Sequence, residues 1–191
     1  MNLPYIEEEK FEKINFTENP IKKAEYEYCT FINCDFSNAT LKEFKFIDCE
    51  FIDCNLSNIH WHKSFLQSIK FIDCKMLGIA FEKCNPFGFE VSFENCQLNH
   101  ASFYQMKIEK TLFKNCQLID VDFTEAKLQQ ATFFQCDLTN AKFENTSLEK
   151  ADFSTASHYE LDPALNTMKD AKFSFPEVLS LLSKYQIKLI P

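Results

Sequence analysis

Glycine is almost missing from this chain, with only Gly78 and Gly88 among 191 residues. Rossmann and P-loop enzymes build their phosphate loops from clustered glycines, so nucleotide chemistry of that kind is excluded. Positive charge is also in deficit. Twenty basic against 28 acidic side chains give a net charge of −8, and the longest basic run is Lys22-Lys23. Binding nucleic acid through its phosphates needs the opposite balance, so no direct nucleic-acid partner is expected. No apolar run approaches the roughly 18 residues of a membrane helix, and the opening MNLPYIEEEKFEK lacks the basic end and apolar centre of a secretory leader. These absences predict a cytoplasmic protein that makes no membrane contact and keeps its nine cysteines as thiols.

Phenylalanine, by contrast, is abundant, with 22 copies arranged in a strict rhythm. Stepping by five from Phe11 through Phe16, Ile21, Tyr26 and Phe31 to Phe81 meets a large apolar residue every time. The frame slips by two residues through NPFGFEVS, resumes at Phe93 and holds to Phe153. Such a step fits neither the helical period of 3.6 nor the strand period of 2. Two residues before most of these centres stands a second regular site of small or compact residues, such as Cys29, Ala39, Cys49, Ile59, Ala101 and Ala131. Two inward residues in every five mean a short extended segment followed by a corner. The remaining positions are polar and face water.

A longer period counts the corners. NCDFSNA at 33–39 recurs as DCNLSNI, DCKMLGI, NCQLNHA, NCQLIDV and QCDLTNA every 20 residues, or 22 across the slip. Twenty is four fives, so each coil has four sides and the chain winds into about seven coils. One ladder then stacks Phe31, Phe51, Phe71, Phe93, Phe113 and Phe133, and a second stacks Cys34, Cys54, Cys74, Cys96, Cys116 and Cys136. Asn33, Asp53, Asp73, Asn95 and Asn115 read as corner residues bonding local backbone.

With these residues in place, the chain from Phe11 to Phe153 resembles the pentapeptide-repeat family, whose pattern is A(D/N)LXX. Cysteine often replaces the family's alanine here and packs as a small hydrophobe. The resemblance implies an all-β, right-handed quadrilateral β-helix. The expected organisation is an N-terminal cap over 1–10, repeats over 11–157 with a small insertion at 85–92, and a C-terminal cap over 158–191.

Function is sought where the pattern breaks. The insertion predicts either an outward bulge carrying Phe87 and Phe89 or a sheared corner with one ring tucked inside. After Phe153 the five-residue frame is lost. Ser174 and Glu177 then stand at capping-box spacing. Val178, Leu179, Leu181, Leu182 and Tyr185 follow as an apolar stripe on an expected α-helix, with IKLIP as a short strand. The end reads as a lid and as a twofold dimer seam of Val178, Leu179, Leu182, Tyr185, Ile187 and Leu189. LDPALNTMKDAKFSFPEVLSLLSKYQIKLI resembles the C-terminus of the Qnr-type quinolone-resistance subgroup, in which that end pairs two monomers tail to tail.

No enzyme site or cofactor site is expected. Cysteines such as Cys29 and Cys34 are separated by four residues, unlike paired zinc ligands. His60 and His62 flank the inward Trp61 and could share a metal, but the repeat offers no third ligand. The Qnr-type resemblance instead implies a rod that mimics duplex DNA, binds DNA gyrase or topoisomerase IV, and shields it from quinolones. Glu43, Glu82, Asp122, Glu125 and Glu144 share one side and are the acidic candidates, although Lys42, Lys63, Lys83 and Lys142 share it too. B-DNA carries about 20 charges over 34 Å, far above this chain's net −8. The long projecting loops of several Qnr proteins are lacking. A rigid scaffold for an unrelated protein partner is the alternative.

Overall fold

The computed structural model describes residues 3–188. Short strands alternate between two sides of a four-sided coil. They are β1 (Tyr5–Glu7), β2 (Lys10–Glu12), β3 (Glu25–Glu27), β4 (Thr30–Ile32), β5 (Lys45–Ile47), β6 (Glu50–Ile52), β7 (Phe65–Gln67), β8 (Ile69–Ile72), β9 (Val91–Glu94), β10 (Leu112–Lys114) and β11 (Thr132–Phe134). One parallel sheet runs β1-β3-β5-β7, and a second, seven-stranded one runs β11-β10-β9-β8-β6-β4-β2. Registers such as Phe31↔Phe51 and Phe113↔Phe133 place residues 20 apart directly above one another. Isolated parallel bridges, for example Asp35↔Asn55 and Ser102↔Asp122, continue the same stacking on the other two sides. The solenoid expected from the five-in-twenty rhythm is therefore the fold.

The centres of the middle coils are fully buried, those at the ends, such as Phe11 and Phe173, partly so, and all stack in columns. Along the second sheet, successive rings from Phe11 to Phe173 lie 4.7–5.4 Å apart with nearly parallel planes. Rings on adjacent sides meet edge to face, as Phe103 and Phe113 do at 85°. Burial of each ring contributes roughly 2–3 kcal/mol, and each edge-to-face pair adds about 0.5–1.5 kcal/mol.

Most corners take a left-handed backbone, and glycine is scarce, so other residues supply it. Asn33, Asn58, Asp73, Lys63, Glu125 and their equivalents two places after each centre have φ of 50–62°. Asparagine and aspartate tolerate that region best. The corner amides do not cap local backbone as expected. Asn95 Nδ2 donates to Asp73 Oδ1 at 2.9 Å and Asn115 Nδ2 to Asn95 Oδ1 at 3.0 Å, forming a ladder across coils. Local capping falls to the residue before a centre. Asp35 Oδ1 accepts from the Ser37 N–H and Asp122 Oδ1 from the Thr124 N–H.

The ends differ from expectation. Within the expected N-terminal cap over 1–10, β1 and the first residue of β2 already pair with β3 and β4 as part of the first coil. At the other end the solenoid continues past 157. Ser147 bridges Thr167, Asp152 bridges Lys172, and Phe173 stacks on Phe153. The rhythm seemed lost because one corner moves. His158 takes the left-handed conformation and the neighbouring Tyr159 is buried in its place, after which Asn166 and Phe173 resume the frame. The closing helix, Glu177–Tyr185, winds as a 3-10 helix rather than an α-helix. Leu181 packs against the core. Ile187 and Lys188 are not in a strand, and Leu189 lies outside the described residues.

Candidate functional site

The inward columns contain little that could do chemistry. All nine cysteines are buried and free. The stacked thiols of Cys34, Cys54, Cys74, Cys96 and Cys136 rest against a backbone carbonyl of the coil below, as Cys54 Sγ does on Phe31 O at 3.3 Å. Burial pushes the Cys49 thiol up to about 12 and raises Cys29, Cys34 and Cys84 as well. Flanking thiols could help a charge at Cys74 or Cys116, but the dry column offers it no cation. Burial prevails there, and the stack stays protonated at neutral pH. The sequence pattern missed the polar residues at the equivalent small inward position of another side. Ser64 Oγ donates to Leu41 O at 2.7 Å and Thr146 Oγ1 to Phe123 O at 2.8 Å. Their polar type reads as surface, and only the carbonyl 23 residues back explains their burial.

No group of His, Cys, Asp and Glu among the described residues could hold a metal ion. His60 and His62 lie exposed on either side of buried Trp61. Among the described residues, no helix is long and apolar enough to cross a membrane.

The insertion divides its two rings. Phe87 is 75% exposed at the bulge, whereas Phe89 turns inward and meets Phe81 edge to face at 6.2 Å. Phe87 is therefore the more exposed of the two, and the arrangement is the sheared corner with one ring packed on the core rather than a bulge carrying both rings.

Cross-coil pairing governs the exposed charges. Lys45–Glu25, Lys70–Glu50, Lys114–Glu94 and Lys172–Asp152 link residues 20 apart at 2.6–3.2 Å. These pairs neutralise Glu25, Glu50, Glu94 and Asp152 on the two sides that carry the sheets. The acidic candidates lie on the side centred by Leu41, Trp61, Phe81, Phe103, Phe123 and Phe143. Glu43 bonds Lys23 at 2.9 Å, and that lysine, with Lys42 and Lys63 nearby, holds its carboxyl below the usual range. Glu82 is mostly buried, with Oε2 lacking a partner and Oε1 3.8 Å from Lys83. Neither is therefore a free negative charge. Glu125 accepts from Gln105 at 2.7 Å, Asp122 keeps its second oxygen beyond the Thr124 turn, and Glu144 is exposed. The side is thus divided, with a lysine-rich N-terminal half and an acidic C-terminal half.

At the C-terminus, Leu182, Tyr185 and Ile187 are exposed beside Leu165 and Phe175. Val178 and Leu179 are half-buried. Lys184 pairs with Asp162 and ties the helix to the last coil.

Known proteins share this architecture. A trypsin-treated variant of QnrB1, a plasmid-mediated fluoroquinolone resistance protein, is 21% identical with a TM-score of 0.50, and the match covers 100% of both chains. A second trypsin-treated QnrB1 structure is 21% identical over 98% of each chain, with a TM-score of 0.49. HetL, a pentapeptide-repeat protein involved in heterocyst differentiation regulation in Nostoc sp. strain PCC 7120, is 12% identical over 91% of this chain and 88% of its own, with a TM-score of 0.48. At this identity the likeness shows the fold. No curated protein sequence matches the chain. The pentapeptide repeat region matches residues 24–103 and 87–174, spanning the stacked coils, and the chain belongs to the pentapeptide-repeat family.

Proposed function

We propose that this protein is a non-enzymatic, cytoplasmic rod that engages a type II topoisomerase, DNA gyrase or topoisomerase IV, in place of duplex DNA and so protects it from quinolones. One observation carries this reading. Asp122, Glu125 and Glu144 project from consecutive coils of one flat side, on a solenoid whose spacing is set by parallel strands about 4.8 Å apart. None of these three carboxylates forms an ion pair among the described residues. The fold shared with QnrB1, a fluoroquinolone resistance protein by its name, supports the same partner class. The exposed C-terminal residues Leu182, Tyr185 and Ile187, with Val178 and Leu179 behind them, support pairing of two copies tail to tail. Such pairing would extend the rod. Competition tests the reading. The protein should displace labelled duplex DNA from purified gyrase, and Glu125→Lys/Glu144→Lys should weaken this at least tenfold. Unchanged DNA binding would refute it.

A second reading, a rigid scaffold for an unrelated protein partner, is favoured by Phe87, whose ring stands in water halfway along the rod. Affinity capture separates the two. Enrichment of topoisomerase subunits, retained by Phe87→Ala, excludes the scaffold reading.

A further inference from the structure

The charge division on the acidic side is more ordered than topoisomerase binding requires. Thr40 bridges His60, and Ala80, Ser102, Asp122 and Lys142 bridge in series, so these residues form one vertical column just before the centres. The residues just after the centres form a second column, in which Lys42 stands at one end and Glu144 at the other. The corner residues form a third, with Lys63 low on the rod and Glu125 high. Backbone bonds such as Leu41 N–H to His60 O and Glu125 N–H to Glu144 O keep these columns in step.

We propose that this side is a self-complementary interface, on which a second copy of the chain docks face to face and antiparallel. A twofold axis along the strand direction, midway between the coils of Phe81 and Phe103, leaves each column facing itself with its coils reversed. The coil of Trp61 then meets that of Phe123, and the coil of Leu41 meets that of Phe143. His60 faces Asp122, Lys63 faces Glu125 and Lys42 faces Glu144, each twice by symmetry. No like charges meet. Lys142 faces Thr40, and Glu43 faces Asn145. Near the axis Ala80 faces Ser102, small residues that let the surfaces approach, and the exposed Tyr104 lies over the largely buried Glu82.

The residues involved are available. His60, Lys42, Lys63, Glu125 and Glu144 are exposed, and none of them forms an ion pair among the described residues. The six coils from Leu41 to Phe143, at about 4.8 Å each, and five residues of about 3.3 Å give a face of roughly 480 Å². Two such faces bury about 950 Å², the size of a weak, reversible association. An interface of this kind is selective by charge and sensitive to salt. The inference does not rest on a topoisomerase partner and is tested without one.

The test is a charge swap followed by analytical ultracentrifugation. One variant carries Lys42→Glu/Lys63→Glu and the other Glu125→Lys/Glu144→Lys. Each alone places like charges opposite one another and should associate at least tenfold more weakly than the unmodified protein at about 50 mM salt. Mixed together, the two restore every pair and should recover the association, which about 500 mM salt should abolish. Tail-to-tail pairing through the C-terminus is common to all these samples, so only the excess in the mixture reports this face. A mixture no heavier than either variant alone, or an unmodified protein whose mass ignores salt, would overturn the proposal.

Discussion

Phe173 stacks on Phe153 with ring centroids 5.3 Å apart and planes 7° from parallel. The ring column therefore reaches the terminal helix without a gap, and the last coil is held by the same contact as the middle ones. Phe133→Ala, which empties a fully buried site between two stacked rings, should cost about 3–5 kcal/mol. Phe173→Ala should cost less, because its ring is only half-buried. Guanidinium unfolding of the two variants checks the order.

The Cys column behaves as a set of compact donors rather than as reactive thiols. Cys54→Ser should fold with a loss of no more than about 1 kcal/mol, because Ser64 and Thr146 already donate to the equivalent carbonyl. Cys54→Leu should lose about 1–3 kcal/mol by overpacking. The native protein should react with thiol reagents only on unfolding, as mass spectrometry of labelled protein would show.

Corners discriminate between residue types by backbone angle. Asn58 has φ of 54°, so Asn58→Val should cost about 1–3 kcal/mol. Gly78 has φ of 67°, and an added Cβ would come within 2.7 Å of Asn58 Oδ1. Gly78→Ala should therefore destabilise by about 1–2 kcal/mol, and Asn58→Ala in the same chain should recover the part due to the clash. Thermal unfolding of the single and double variants resolves the two contributions.

The terminal helix is sensitive to acid. The Lys184 ammonium, bonded to Asp162, holds that carboxyl below its usual value. A depressed carboxyl contributes stability above its unfolded pKa, about 3.9, and loses it as pH falls through the lower folded value. Amide protection factors in residues 177–185, taken relative to the intrinsic exchange rate at each pH, should fall below about pH 4 while the central coils stay protected. Asp162→Asn should exchange faster at neutral pH and show little further change in acid.

Much of this was legible in the sequence because each coil repeats one inward demand. Phe31, Phe51 and Phe71 mark the period unaided, and Cys34, Cys54 and Cys74 confirm the corner. Legibility failed where geometry departs from residue type. Tyr159 fills a place the rhythm assigned to His158, because His158 itself takes the left-handed conformation that elsewhere falls two places after a centre. Ser64 and Thr146 are polar yet buried because a carbonyl one coil away satisfies them. The same limit applies to the candidate site. Glu43 is acidic in sequence, but Lys23, 20 residues earlier, cancels it through a 2.9 Å contact, and only the stacked coils show that pairing. Phe87 and Phe89 are alike in type, and their opposite directions follow from where the chain rejoins the sheet at β9.

The most direct test of the functional account is supercoiling of relaxed plasmid by DNA gyrase held inhibited by a quinolone. Added protein should restore supercoiling in a dose-dependent way, and Glu125→Lys/Glu144→Lys should not. No restoration at any protein concentration would contradict the account.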